Sequence, residues 1–254
     1  TDTNNTAVGY HAGASVTTGI NNTLMGTASG DAITTGHSNT VVGSAAGTAV
    51  TTGINNVAIG YIALASATTA ADNVIVGKQA GFNITDSQYN VGIGNNALQT
   101  LTTGDSNVAV GHSALYALTT ASNNTAVGYN ALVANTTGAR NTGIGDTALA
   151  ANTTGDNNVA LGRGTLDANT TADNNTAIGQ AALGANTTGA SNTAVGRASL
   201  LANTTGAENT AVGKGSLANN TTANYNVAVG RDAMFTNTTG AENTAVGTAA
   251  MYYN

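Results

Sequence analysis

The side chains that could carry out acid–base or metal chemistry are few in this sequence, and they do not recur in register. The chain has 254 residues, with three His, twelve Asp or Glu and no Cys. His11, His37 and His112 occupy three different places in a 17-residue repeat, so stacking the repeats would not bring them together. A metal site built on a repeat would more naturally recur with it. We therefore expect the three His to be surface residues.

The carboxylates are equally poor candidates for catalysis. Positions are counted from the Asn that begins each repeat, and Asp105, Asp156 and Asp173 then share position sixteen, just after a turn, where a solvated Asx turn is expected. Glu208 and Glu242 share position seventeen but lie two repeats apart. No nucleophile elbow or Ser-His-Asp arrangement is present. The sequence predicts no catalytic, cofactor-binding or metal-binding residues, and a protein that is not an enzyme.

Charge and composition exclude further classes of function. The net charge is −6, and six basic residues are too few for a phosphate-binding stripe, which argues against nucleic acid as a partner. No apolar stretch approaches the ~18 residues of a membrane helix, so no membrane insertion is expected. The chain begins Thr1-Asp2-Thr3, with no initiator Met or signal peptide, which indicates a processed product or an excised fragment.

The strands and turns that carry these residues are all built from one recurring sequence unit. The pentad Asn-[Thr/Val]-Ala-[Val/Ile]-Gly starts at Asn5 and returns every 17 residues, fifteen times, to Asn243, so residues 1–254 are expected to be a single continuous array without separate domains. Position two is β-branched and position five is always Gly, which predicts a short strand that ends at the Gly. Seventeen residues suit one coil of two short strands and two turns. The fold class is therefore all-β, a parallel β-solenoid of fifteen coils.

Alternation along the strand places positions two and four on one face and position three on the other. Because position four is always apolar, we expect two and four to fill the coil. Position three would then form an outer apolar stripe, which normally marks an interface. The alternative, with three inside and Thr at two outside, fits the apolar position four less well.

Three columns of the repeat make further predictions. Stacked at ~4.8 Å, the position-one Asn should form a ladder whose amides bond one another and the turn carbonyls. Thr at thirteen and fourteen, as in Asn135-Thr136-Thr137, matches a glycosylation pattern only because the repeat recurs. These Thr either supply inter-coil hydroxyl bonds at a turn or form an ice-binding array. The adjacent small residue at fifteen favours the turn.

Positions nine and twelve vary together along the chain. Early copies pair Gly with a large apolar residue, as in Gly30 and Ile33, whereas late copies pair Leu or Met with Asn, as in Leu132 and Asn135. Either the two positions fill one space from opposite sides, or the two halves descend from two ancestral units. In the first case, Asn135→Val should recover part of the stability lost in Leu132→Gly.

The pentads at 107–111 and 158–162 resemble the Ser-Val-Ala-Ile-Gly head repeat of trimeric autotransporter adhesins, the YadA-type head. The longer unit at 124–138 is similar to repeat arrays of phage tail fibres and of large bacterial surface proteins. This resemblance covers nearly the whole chain and implies a left-handed parallel β-roll, three of which pack as a homotrimer. The adhesin repeat is usually shorter and has Ser where this chain has Asn.

Three functions are compatible with these observations. The leading hypothesis is a structural rod or shaft segment of an extracellular trimeric attachment fibre, on a phage or a bacterial surface. The others are a self-assembling extracellular filament and, less favoured, an ice-binding solenoid. The partner expected is the chain itself, as a homotrimer and also end to end, because the first and last pentads are as regular as the internal ones. Fifteen coils predict a rod of about 70 Å. The sequence identifies no receptor.

Overall fold

The computed structural model describes residues 4–253, so Thr1–Thr3 and Asn254 lie outside the described residues. Each repeat contributes one three-residue strand that covers positions two to four. The strands are β1 (Thr6–Val8), β2 (Thr23–Met25), β3 (Thr40–Val42), β4 (Val57–Ile59), β5 (Val74–Val76), β6 (Val91–Ile93), β7 (Val108–Val110), β8 (Thr125–Val127), β9 (Thr142–Ile144), β10 (Val159–Leu161), β11 (Thr176–Ile178), β12 (Thr193–Val195), β13 (Thr210–Val212), β14 (Val227–Val229) and β15 (Thr244–Val246).

The chain divides into two compact units, Thr1–Asn124 with β1 to β7 and Thr125–Asn254 with β8 to β15. Within each unit, consecutive strands pair in parallel with a constant offset of one repeat, as in Thr23↔Thr40 and Thr193↔Thr210. The fold is therefore an all-β parallel β-solenoid with a 17-residue repeat, as the sequence predicts. The described residues contain no α-helix.

The Gly at position five ends each strand because no side chain is tolerated there. Gly43 has a φ of +137°, a conformation that residues with a Cβ atom rarely adopt. A Cβ atom added to it would lie 2.5 Å from the carbonyl oxygen of Gly60 in the next coil. The invariant glycines therefore allow the close stacking of coils at this corner.

The prediction of a second strand in each coil is wrong. Between one strand and the next, the described residues form turns, bends and irregular backbone, apart from the bridge Ala71↔Gln88. The reason is a regular set of left-handed residues at positions seven, nine and seventeen. Typical φ values are +53° at Ala45, +52° at Leu132 and +58° at Ser106. Residues in this conformation interrupt an extended backbone, so the return path of the coil is a chain of turns.

The prediction that positions two and four fill the coil is also wrong. Position three lies inside, with Leu24, Ala58 and Ala126 all fully buried, whereas positions two and four are half-buried or exposed. Period-two alternation separates the two faces but does not decide which one is inside. The interior is narrow, so it accepts the position that is mostly Ala, and the larger side chains of position four remain outside.

Positions three, nine and twelve share the interior space. A Cβ atom on Gly30 would lie 2.8 Å from Cδ1 of Ile33 and 2.9 Å from Cδ2 of Leu24, so position nine does face position twelve. Position three is the third partner, which sequence reasoning missed. Where it is large, position nine is Gly, and where position three is Gly92, position nine is Leu98. The total side-chain volume is thus roughly kept in each coil.

The position-one Asn residues form the predicted ladder. Oδ1 of Asn22 accepts hydrogen bonds from the backbone N–H of Asn39 at 3.0 Å and from its Nδ2 at 3.1 Å. The same Nδ2 also donates to the carbonyl of Gly53 at position fifteen of its own coil, at 2.9 Å. The ladder therefore joins consecutive coils and closes each coil, which explains an invariant Asn at a buried position.

A second buried Asn ladder occupies position twelve in the unit Thr125–Asn254. Nδ2 of Asn152 donates to Oδ1 of Asn135 at 2.9 Å and to the carbonyl of Gly155 at 3.0 Å. The carbonyl of Gly155 also accepts from Nδ2 of Asn141 at 2.7 Å, so both of its lone pairs are used. In the unit Thr1–Asn124, apolar side chains such as Ile33 and Leu101 are buried at this position instead.

Candidate functional site

The exposed face of the strands is the feature that the fold leaves without a partner. It consists of the side chains at positions two and four, on the opposite side from the buried position three. Large apolar side chains on it include Met25, Ile59, Leu161 and Ile178, of which Leu161 is 43% exposed. Exposed apolar rows of this kind mark interfaces. We call positions two and four together the strand face.

One flank of the strand face is defined by position six, the first residue after the invariant Gly. Five of the six basic residues of the chain occupy it, and all five are exposed: Lys78, Arg163, Arg197, Lys214 and Arg231. Position six of the ninth repeat is instead acidic, at Asp146. Sequence reasoning missed this column because it compared the His and the carboxylates at equal repeat positions but not the Lys and Arg.

The other flank is position seventeen, immediately before the Asn that begins the next repeat. Its four charged residues are Asp72, Arg140, Glu208 and Glu242, each with a positive φ between +57° and +60°. The side chain of Asp72 accepts a hydrogen bond from Nδ2 of Asn55 at 3.0 Å, and the other three side chains are exposed. The strand face thus lies between a mainly basic flank and a mainly acidic flank.

The three His lie where the sequence predicts, at the surface, and the structure does not bring them together. His11 stacks edge to face with Tyr10, with ring centroids 4.2 Å apart, and His37 approaches the hydroxyl of Ser38 at 3.4 Å. His112 is exposed at position six. Within residues 4–253, no group of three or more His, Asp or Glu side chains is placed to hold a metal ion.

The position-sixteen carboxylates have a structural role, but not as local Asx turns. Oδ1 of Asp156 accepts the backbone N–H of Ala139 at 2.7 Å, and Oδ1 of Asp173 accepts that of Asp156 at the same distance. Asp105 does the same for Gln88. Each carboxylate therefore bonds the preceding coil. The sequence signal was the shared repeat position, which implies stacking and not a turn within one coil.

The Thr columns are used within the stack. At position thirteen the hydroxyl of Thr136 donates to the carbonyl of Thr153 at 3.0 Å, and Thr153 repeats this bond to Thr170. These hydroxyls support the inter-coil role at a bend over the ice-binding role. Asn135, which begins an Asn-Thr-Thr triplet, is fully buried in its ladder, so its amide is inaccessible to a glycosylating enzyme.

A shallow depression of about 400 Å³ lies between Arg163, Asp167, Gln180 and Leu201. It forms where Gly164 and Gly184 remove side chains from adjacent coils. Burial raises the pKa of the Asp167 carboxyl above its ordinary value, and backbone hydrogen bonds oppose this shift. No His, Ser or Thr lines the depression, so it offers no hydroxyl or imidazole nucleophile beside the carboxylate.

Two comparisons complete this description. No protein-family model matches the chain, and no curated protein matches it. No helix in the described part of the chain has the length and apolar character needed to cross a membrane.

Proposed function

We propose that this chain is a structural segment of an extracellular trimeric attachment fibre, of the phage tail-fibre or bacterial adhesin type, and that it self-associates through the strand face. The single observation that carries the proposal is the row of apolar side chains at position four, which points outward in every described repeat. The extracellular setting, the left-handed coil and the number of three copies come from the resemblance of the pentads to adhesin head repeats.

The strand face suits association with another copy for physical reasons. Side chains such as Ile144, Leu161 and Ile178 stand in adjacent strands, and each is more than one-third exposed. Removing such apolar surface from water contributes about 25 cal/mol per Å². Neighbouring strands place these side chains about 4.8 Å apart, so a second copy can meet the first with the same spacing.

The use of polar side chains also supports a structural role. The side chains at positions one and thirteen bond to the next coil, and in the unit Thr125–Asn254 those at position twelve do so too. Each added repeat therefore extends the stack of its unit with the same bonds, at about 4.8 Å per coil. Mechanical continuity along a stack is what a shaft segment needs.

The test is the mass in solution of the wild-type chain and of a strand-face variant. Leu161→Asp together with Ile178→Asp should convert a trimer to monomers, because two charges would be buried at the interface. Thr154→Asp with Thr171→Asp is the matched control, since both Thr are exposed at position fourteen of neighbouring coils. Sedimentation equilibrium gives the mass, and negative-stain microscopy shows whether the particles are discrete or joined into filaments.

A wild-type chain that sediments as a monomer at high concentration would contradict the proposal. Open-ended filaments without a trimeric species would favour the self-assembling filament instead. Shaping of ice crystals by the monomer would favour the ice-binding solenoid.

A further inference from the structure

The charged residues on the two flanks of the strand face are matched across individual strands. Three of the four charged residues at position seventeen have an opposite charge at position six after the same strand: Asp72 with Lys78 across β5, Arg140 with Asp146 across β9, and Glu208 with Lys214 across β13. The pair at β9 has its signs reversed. The acid and the base have exchanged flanks together.

These pairs do not form within one chain. The two members are six residues apart along a nearly extended segment, so at about 3.3 Å per residue they are separated by roughly 15–20 Å. An ion pair needs its charged atoms within about 4 Å. The ion pair found among the described residues joins Arg231 to its sequence neighbour Asp232, at 3.4 Å, and does not cross a strand. Matching across the strand therefore needs a cause outside the single chain.

Symmetry between copies supplies that cause. When copies are related by rotation about an axis parallel to the stack, and their strand faces point at that axis, the position-seventeen flank of one copy meets the position-six flank of the next. Each strand layer then meets the same layer of its neighbour. An antiparallel pair, related by a twofold axis across the stack, brings like flanks together and would set the basic column against itself.

We propose that copies of this chain associate in parallel and in register through the strand face, with Arg140 of one copy paired to Asp146 of the next. Asp72 with Lys78 and Glu208 with Lys214 form equivalent pairs between copies. The reversed pair at β9 fixes the register, because sliding one copy along another by four repeats would set Arg140 beside Lys214 and Glu208 beside Asp146. This inference rests on the self-association in the proposed function and adds its direction and alignment.

Cysteine cross-linking tests the alignment directly, since the chain has no native Cys. A bismaleimide shorter than the roughly 15–20 Å between positions seventeen and six cannot join Arg140→Cys to Asp146→Cys on one chain. In the parallel arrangement this reagent should join the double variant into a covalent closed oligomer on a denaturing gel, because it spans the Cα separation of an Arg–Asp pair, which is longer than a disulfide allows. Each single variant should stay monomeric on that gel. Arg140→Cys with Lys214→Cys is the matched out-of-register control and should not cross-link.

The outcomes separate this inference from the proposed function. Cross-links in the single variants would show an antiparallel contact and overturn the inference. So would equal cross-linking of the out-of-register control, or a double variant that sediments as a trimer without cross-links. A trimer without cross-links leaves the fibre proposal intact, whereas an antiparallel or out-of-register contact would also contradict the closed trimer. Sedimentation of the wild-type chain as a monomer would overturn both.

Charge exchange provides a second measurement without Cys. Arg140→Asp should weaken association roughly tenfold at low salt, because two carboxylates would face each other. Asp146→Arg should do the same with two guanidinium groups. The double variant should return close to the wild-type dissociation constant. Failure of the double variant to recover would show that the two residues do not meet.

Discussion

The two units of the chain build the same coil with different interiors. In Thr1–Asn124, position twelve is apolar, and Ile33, Ile84 and Leu101 are fully buried there. In Thr125–Asn254, the same position is a continuous Asn ladder, beside Leu or Met at position nine. The period is 17 residues in both. The comparison shows that the interior tolerates either apolar packing or a saturated amide column at one place, provided that the column is uniform through the unit.

The largest expected effect comes from placing the position-twelve residue type of one unit in the other unit. Leu101→Asn places an amide between the apolar residues Ile84 and Leu118, where no ladder partner exists, and also removes a buried Leu. We expect a loss of about 3–5 kcal/mol in the free energy of unfolding, measured by urea denaturation. The reciprocal change Asn152→Leu should cost less, about 1–3 kcal/mol, because its neighbours keep their bonds to position-fifteen carbonyls. Equal losses of unfolding free energy in the two variants would contradict this difference between the two interiors.

Substitutions at positions three and nine of one coil should have strongly coupled effects on stability, because the two side chains share one space. Leu98→Gly leaves a cavity that costs about 2–4 kcal/mol, partly offset because Gly adopts the left-handed φ of +54° without strain. Gly92→Leu overpacks the interior, since a Cβ atom there lies 3.2 Å from Cδ1 of Leu98. The double variant reproduces the pattern of Leu24 and Gly30 and should approach wild-type stability. An additive double-mutant cycle would contradict the shared space.

The rescue of Leu132→Gly by Asn135→Val, predicted from positions nine and twelve alone, stays a prediction. The structure gives a reason to expect a smaller recovery than in the Gly92 and Leu98 exchange. Asn135 donates to the carbonyl of Gly138 and accepts from Asn152, and Val replaces neither bond.

The position-one ladder should matter in both units, but not equally. Asn56 is the side chain that bonds the carbonyl of Ala70, at 2.7 Å, whereas the carbonyl of Gly155 keeps Asn152 as a donor when Asn141 is removed. Asn56→Ala should therefore destabilise more than Asn141→Ala, and each buried group left unpaired costs about 1–3 kcal/mol. Asn130→Ala at position seven is the control, because Ala45 holds the same backbone conformation. Equal melting temperatures for Asn130→Ala and Asn141→Ala would exclude the ladder.

The smallest effect concerns Asp167 at position ten of its repeat, a position that Asp31 occupies in the first unit. Because its folded-state pKa is raised, the folded state holds the proton more tightly than the unfolded state. The resulting stabilisation is present below the ordinary Asp pKa and is lost as the pH rises through the raised value. Between about pH 3 and about pH 7, wild type should therefore lose stability relative to Asp167→Asn. A melting-temperature difference that does not change with pH would contradict this.

The repeat made part of the strand face predictable. The strands, their parallel stacking and the Asn ladder follow from Asn22 and Gly26 and their equivalents every 17 residues. The surface positions of the three His follow from their lack of a shared repeat position. The orientation of the strand did not follow, because Ala at three and Val at four are both apolar and alternation alone permits either face inside. The flanking charges, such as Arg140 and Asp146, could have been found from the sequence by aligning repeat positions.

The sequence by itself determined the period, the strand and the ladder, because each depends on a residue type that recurs at one position with no exception. Only the tertiary structure decided which face of the strand is buried, how the chain returns from one strand to the next, and where the third partner of positions nine and twelve lies. These depend on the width of the interior. Part of that interior is filled by Leu132, whose side chain is fully buried although its backbone has a left-handed conformation that Leu rarely adopts.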